Sequence, residues 1–155
     1  MKYSHRLSDA IHILAFVVIY ADDNLSSRAI AASIQSNPSL IRRLMARLVK
    51  ADLLVSRPGM VAPHLSRPAD QISLLDIYRA VDDEQTLLHL DLDTDPLCVV
   101  GGNIQGALGP VYQVIQTAAE QKMSTITLQQ IIDEIQRLAH EKGQGSVTEA
   151  GGDKR

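Results

Sequence analysis

From Asn37 to Ala51 the chain contains no aspartate or glutamate, while Arg42, Arg43, Arg47 and Lys50 ride on a helical apolar repeat. Ile41, Leu44, Met45 and Leu48 share one face of that helix. Ser39, Arg43, Ala46 and Lys50 lie opposite, with Arg42 and Arg47 at the flanks. Asn37-Pro38 marks the start, because Asn is a favoured N-cap and Pro at the first helical position loses no useful N–H. The pattern runs to about Asp52. Such a helix has to bury its apolar stripe against other helices and leave a cationic face outward.

The preceding segments supply those helices. Residues 4–21 read as one, with Leu7, Ile11, Leu14 and Val18 at helical spacing and Asp22-Asp23-Asn24 as the stop. A shorter one follows, capped by Ser26 or Ser27 and carrying Ala29, Ile30 and Ile34. Gln35-Ser36 leaves room only for a tight turn, so the pair reads as a helix-turn-helix. After it, Leu53-Leu54-Val55 and Val61 to Leu65 flank the turn residues Arg57-Pro58-Gly59, and Pro63 confines the returning strand to an edge. The expected class is mainly α: a winged helix-turn-helix with a small β-hairpin wing.

Ser73-Leu74-Leu75-Asp76 is a capping box ahead of a helix to about Val81. Residues 82–95 then carry six acids and no Lys or Arg, which suits a solvated connection. A long helix is expected over 103–123. Its Ile104, Leu108, Val111, Ile115 and Ala118 alternate four- and three-residue steps like a heptad seam, and Gly109-Pro110 should kink it. Thr127 caps a last helix with Leu128, Ile131, Ile132, Ile135 and Leu138. Beyond it the chain is Gly-rich and charged, as in a disordered tail. The expected organisation is a DNA-binding domain over 1–81, an acidic linker over 82–102, dimerisation helices over 103–138 and a tail over 139–155.

Composition agrees with a helical protein. Only 3% of residues are aromatic against 45% hydrophobic, so the core is aliphatic. The net charge of -3 argues at first against nucleic acid, but 37–67 holds six basic side chains and one acid. A local basic stripe on an acidic protein is the footprint of phosphate binding. Isolated Lys and Arg faces are usually solvated surface; the acid-free run is what points to a major-groove helix. There Arg addresses guanine edges and phosphates, Ser a phosphate or base, and Ala a close groove floor. A wing arginine such as Arg57 suits a narrow minor groove.

Cys98 is the single cysteine, which rules out an intramolecular disulfide and fits a reducing cytoplasm. It lies between the acidic loop and a helix N-terminus, where it is either a small buried residue or a redox sensor. His89, Asp91, Asp93 and Asp95 alternate without a rigid scaffold, so no metal is expected. Gly101-Gly102-Asn103-Ile104-Gln105-Gly106 lacks the Gly-Lys-Ser/Thr ending of a phosphate cradle. No nucleophile–base pair has a local signature, so the chain does not read as an enzyme.

Several strings, in this order and spacing, resemble the Rrf-two (Rrf2) family of bacterial winged-helix regulators, the family of IscR, NsrR and CymR. They are Ser4-His5-Arg6-Leu7, Leu25-Ser26-Ser27-Arg28-Ala29-Ile30-Ala31, Asn37-Pro38-Ser39-Leu40-Ile41-Arg42-Arg43-Leu44, Lys50-Ala51-Asp52-Leu53-Leu54 and Ile72 through Val81. The resemblance covers about residues 1–137. The Asn-Pro start and the run from Cys98 to Gln105 are similar to a YwnA-like subgroup. The resemblance implies a long helix that crosses its partner's equivalent in a two-fold dimer, and operator binding that usually represses. It implies Ser39, Arg42, Arg43 and Arg47 in the major groove, Ser4 and Ser27 near phosphate and Arg57 in the wing; Asn37 and Lys50 complete the DNA-facing set. The seam from Ile104 to Ala118 becomes the dimer interface.

Two departures stand out. The wing carries Gly59-Met60-Val61-Ala62-Pro63-His64 instead of a Gly-Gly-Tyr-like run. Cluster-binding members bring three cysteines before the long helix, and Cys98 alone does not hold a cluster in that way. The expectation is therefore a DNA-binding, homodimeric repressor without cofactor, responding to a thiol reaction or a small molecule. A winged-helix adaptor for another protein and a small nucleotide-binding enzyme are the competing readings.

Overall fold

The computed structural model describes residues 5–59 and 62–144. Among these residues, six helices and one hairpin follow in the order α1 (Arg6–Ile19), α2 (Ser27–Ile34), α3 (Pro38–Lys50), β1 (Leu54–Val55), β2 (His64–Leu65), α4 (Leu74–Val81), α5 (Ile104–Ser124) and α6 (Leu128–Glu141). The protein is a winged helix-turn-helix followed by a long helix. A 3-10 turn over Ala69–Gln71, absent from the sequence reading, leads from the hairpin into α4.

Local chemistry sets the boundaries. The Ser26 hydroxyl accepts from the Ala29 N–H, which makes Ser26 the cap of α2. Gln35 closes that helix in the left-handed region at φ 57. Asn37 Oδ1 accepts from the Leu40 N–H at 2.8 Å and starts α3. β1 and β2 pair antiparallel with Leu54 opposite Leu65 and Val55 opposite His64. Gly59 takes φ +81 in the wing turn, a conformation that favours glycine.

Ile13 and Leu14 of α1, Ile30 of α2, and Ile41, Leu44 and Leu48 of α3 are fully or almost fully buried together with Leu53, Leu54, Ile72 and Ile77. Leu128 and Ile132 of α6 belong to the same core. The sequence grouped α6 with the long helix; the structure returns it to α1. Two backbone bonds fix that return: Leu74 N–H to Ile126 O and Leu128 N–H to Ile72 O, both 2.8 Å. The capping boxes of α4 and α6, at Ser73 and Thr127, meet across this joint. α6 also runs to Glu141, three residues past the expected end at Leu138.

α5 is different. It stays helical through Pro110 for 21 residues, and none of them is buried. It lies against α4, where Gln116 and Glu120 make its polar contacts: Gln116 Nε2 donates to the Tyr78 hydroxyl of α4 at 3.5 Å, and Arg79 of α4 pairs with Glu120 at 3.4 Å.

Candidate nucleic-acid interface

Because Ile41, Leu44 and Leu48 point into the core, the outer face of α3 is fixed. Ser39, Arg42, Arg43, Ala46, Val49 and Lys50 are exposed on it. Arg43 and Lys50 have no hydrogen-bond or ion-pair partner among the described residues. Arg42 is held: its Nε donates to Ser27 Oγ at 3.2 Å, tying the first residue of α2 to α3. Asn37 spends its carboxamide oxygen on the helix cap. Arg57 is exposed on the wing, next to Pro58 and Gly59. Ser4 lies outside the described residues, as do Met60 and Val61 of the wing.

Between the start of α2, the outer face of α3 and the wing runs an open groove of about 580 Å³. Ser26, Ser27 and Arg42 line one side and Ser56, Pro58 and Pro63 the other, over a floor of Met45, Ala46 and Val49. The combination suits an anionic backbone with apolar sugar edges: hydroxyls and a guanidinium for phosphate, methyl groups for the rest. Val49 was missed in the sequence because its place on the wheel beside Ala46 carried no charge.

Two of the six basic residues of the stripe are spent within the fold. Arg67 donates to Asp52 O at 2.9 Å and Gln71 O at 3.0 Å, and it pairs with Asp76 at 3.2 Å. The Ser66 hydroxyl also donates to Asp52 O. Burial pushes Asp76 up, but hydrogen bonds from Ser73 and the Arg67 charge hold it net below the usual carboxylate range. Arg47 leaves α3 toward α4 and meets Asp83 at 2.6 Å, an acid that the sequence assigned to solvated linker. The hydrogen bonds from Arg47 and then Arg6 hold the Asp83 carboxyl below its ordinary value. So the structure gathers Ser27, Ser39, Arg42, Arg43 and Lys50 on one surface and places Arg47 beside it. Arg6, which the sequence reading did not select, joins Arg47.

In the connection, the acids cap turns: Asp91 Oδ1 accepts from the Asp93 N–H and Asp95 Oδ1 from the Leu97 N–H. Cys98 is exposed. Hydrogen bonds from the Gly101 and Val100 amides lower its thiol pKa below the usual value. The glycines here serve close chain approach, since a Cβ on Gly101 would meet Asp95 O at 2.5 Å and one on Gly102 would meet Pro96 O at 2.6 Å.

The Rrf2 family model, described as an iron-dependent transcriptional regulator, matches residues 3–134. YwnA of Bacillus subtilis (strain 168), named as an HTH-type transcriptional regulator, is 36% identical over 130 residues, covering 84% of this chain and 96% of its own. A crystal structure named as that of a DNA-binding protein is 36% identical with TM-score 0.64, over 82% of this chain and 98% of that one. CymR, the global cysteine regulator of B. subtilis, shares the fold with TM-score 0.60 at 16% identity, over 86% of this chain and 97% of that one. The residues present do not fit an iron–sulfur cluster: Cys98 is the single cysteine of the chain. No three His, Cys, Asp or Glu side chains come together to hold a metal ion among the described residues. No helix among them is long and apolar enough to cross a membrane.

Proposed function

The chain belongs to the Rrf2 family of transcriptional regulators, and on that premise we propose that it acts in the cytoplasm as a homodimeric repressor on a pseudo-palindromic operator. The observation that carries this reading is the outer face of α3, which combines Arg43 and Lys50, without a partner among the described residues, with Ser39, Ala46 and no acid, beside the Ser27–Arg42 pair. Arg43 reads a base edge, Ser27 and Arg42 hold a backbone phosphate, and Arg57 follows the flanking minor groove.

The second copy is supported by α5. Val111 is 50%, Val114 70% and Ile115 44% exposed, on a helix with nothing buried. Apolar residues at this spacing need a cover, and a two-fold copy brings the second recognition helix that a palindrome requires. The exposed Cys98, with its lowered pKa, supports a thiol-based response, and nothing in the site supports catalysis.

Binding of the purified protein to the DNA upstream of its own gene, against a scrambled duplex at two salt concentrations, tests the reading. Sequence preference with steep salt dependence is expected. Equal binding to both duplexes there, and no enriched palindrome in a random-sequence selection, would overturn it.

A further inference from the structure

Two guanidiniums converge on one carboxylate at the edge of the recognition surface. Arg47 donates through NH1 to Asp83 Oδ1 at 2.6 Å and through NH2 to Oδ2 at 3.2 Å. Arg6, the first residue of α1, donates to Asp83 Oδ2 at 2.7 Å. Arg47 also reaches Val81 O at 3.3 Å, which fixes its direction without neutralising it. The site is open to water, with Asp83 57% exposed. It adjoins the DNA-facing set, since Arg43 and Arg47 stand four residues apart and are surface neighbours on α3.

A pair of arginines holding both oxygens of one anion is the geometry by which proteins hold phosphate. A phosphodiester presents two anionic oxygens on one atom, as a carboxylate does. We propose that Arg6 and Arg47 form a phosphate seat for the DNA backbone and that Asp83 occupies it in the free protein as an intramolecular competitor. The inference rests on the DNA-binding reading and adds a regulated contact to it. Exposed ion pairs are individually weak, so exchange of one anion for another is not blocked.

The position of the competitor is tied to α5. Gln116 accepts from the Leu87 N–H at 2.9 Å and donates to Gln85 O at 3.0 Å, clamping the connection two and four residues beyond Asp83. A shift of α5 against α4 therefore moves Asp83 in or out of the seat, which links the long helix to the DNA-reading surface. The two states differ in one named contact, as a coupling device requires.

Fluorescence anisotropy on a selected operator duplex across a salt series tests this with D83N, D83S, E84Q, R47Q and D83N/R47Q. Glu84 is the neighbouring exposed acid, so E84Q controls for the loss of one negative charge. Asp83→Asn and Asp83→Ser are expected to bind several-fold tighter than Glu84→Gln and to steepen the log–log salt slope by about 0.9, one added phosphate contact. The double variant is expected to lose both gains. If both Asp83 variants bind no tighter than Glu84→Gln, or if the gain survives in the Arg47→Gln background, the seat is overturned. If the wild type and every variant ignore the sequence of the duplex, the DNA-binding reading itself falls and takes the seat with it.

Discussion

α3 and α5 each present a face that the described residues leave uncovered, and the two faces differ in kind. α3 is anchored by Ile41, Leu44 and Leu48, and what it exposes is mainly polar and cationic. α5 has no buried anchor, and among what it exposes are Val111, Val114 and Ile115. A charged face is stable in water and needs rigidity in order to read an anion. An apolar face is costly in water and needs a cover more than an anchor. The cationic surface is thus preorganised by the monomer fold, whereas the long helix, on the dimer reading proposed above, is completed by assembly.

The strongest way to break this contrast is to charge the apolar face. V111D/I115D is expected to yield a monomer in sedimentation, with a melting curve that stays cooperative. Operator affinity should drop by about 10³-fold or more, toward the level of non-specific binding. A dimer that survives both substitutions would show that the exposed seam is not the interface. The next test measures anchoring. Leu48→Ala empties a fully buried site and is expected to cost about 2–5 kcal/mol in denaturant unfolding. Ile115→Ala in the monomeric background is expected to stay within about 0.5 kcal/mol. Equal costs at the two sites would dissolve the distinction between an anchored and an unanchored helix.

The sequence carried the anchored region well and the rest unevenly, for physical reasons. Asn37-Pro38, the capping box at Ser73, the Thr127 cap and the α3 wheel are local signals, settled within a few residues, and the structure has each of them. Ion pairs are not local. Arg47 meets Asp83 across 36 positions, and nothing near Arg47 announces that an acid from a solvated stretch will take it. Likewise Leu128 and Ile132 have a periodicity that suits either a dimer helix or a core helix; only the tertiary course of the chain decides. Charge counting over 37–67 therefore overstated the cationic surface, since Arg47 and Arg67 are neutralised by Asp83 and Asp76.

Within the cationic face the comparison sharpens further. Arg43→Ala is expected to cost about 1–3 kcal/mol in specific binding and to relax preference at one base position. Lys50→Ala should weaken all duplexes alike and lower the salt slope by about 1. Competition against single-base operator variants separates the two. A uniform loss for both substitutions would make the face a phosphate platform with no readout of its own.

A modest effect is expected where the two regions join. Ser73 caps α4 and faces Thr127, which caps α6, so the α5–α6 turn is stitched to the winged domain at that point. Ser73→Ala is expected to cost about 1 kcal/mol, the usual worth of a serine cap. It should also change the acid limb of stability. Asp76 has a lower pKa folded than unfolded, held there partly by the Ser73 backbone and hydroxyl. The unfolded chain therefore binds more protons at acid pH. The stability from Asp76 is fully present above the ordinary aspartate range near about 4 and is lost as pH falls through it toward the folded value. Without the hydroxyl the folded pKa rises toward the unfolded one, so unfolding midpoints of Ser73→Ala should fall less steeply between about pH 5 and 2 than those of the wild type. Parallel acid limbs would mean that Arg67 and the Ser73 amide hold Asp76 unaided, and that the joint is secured by charge and backbone with no help from the cap.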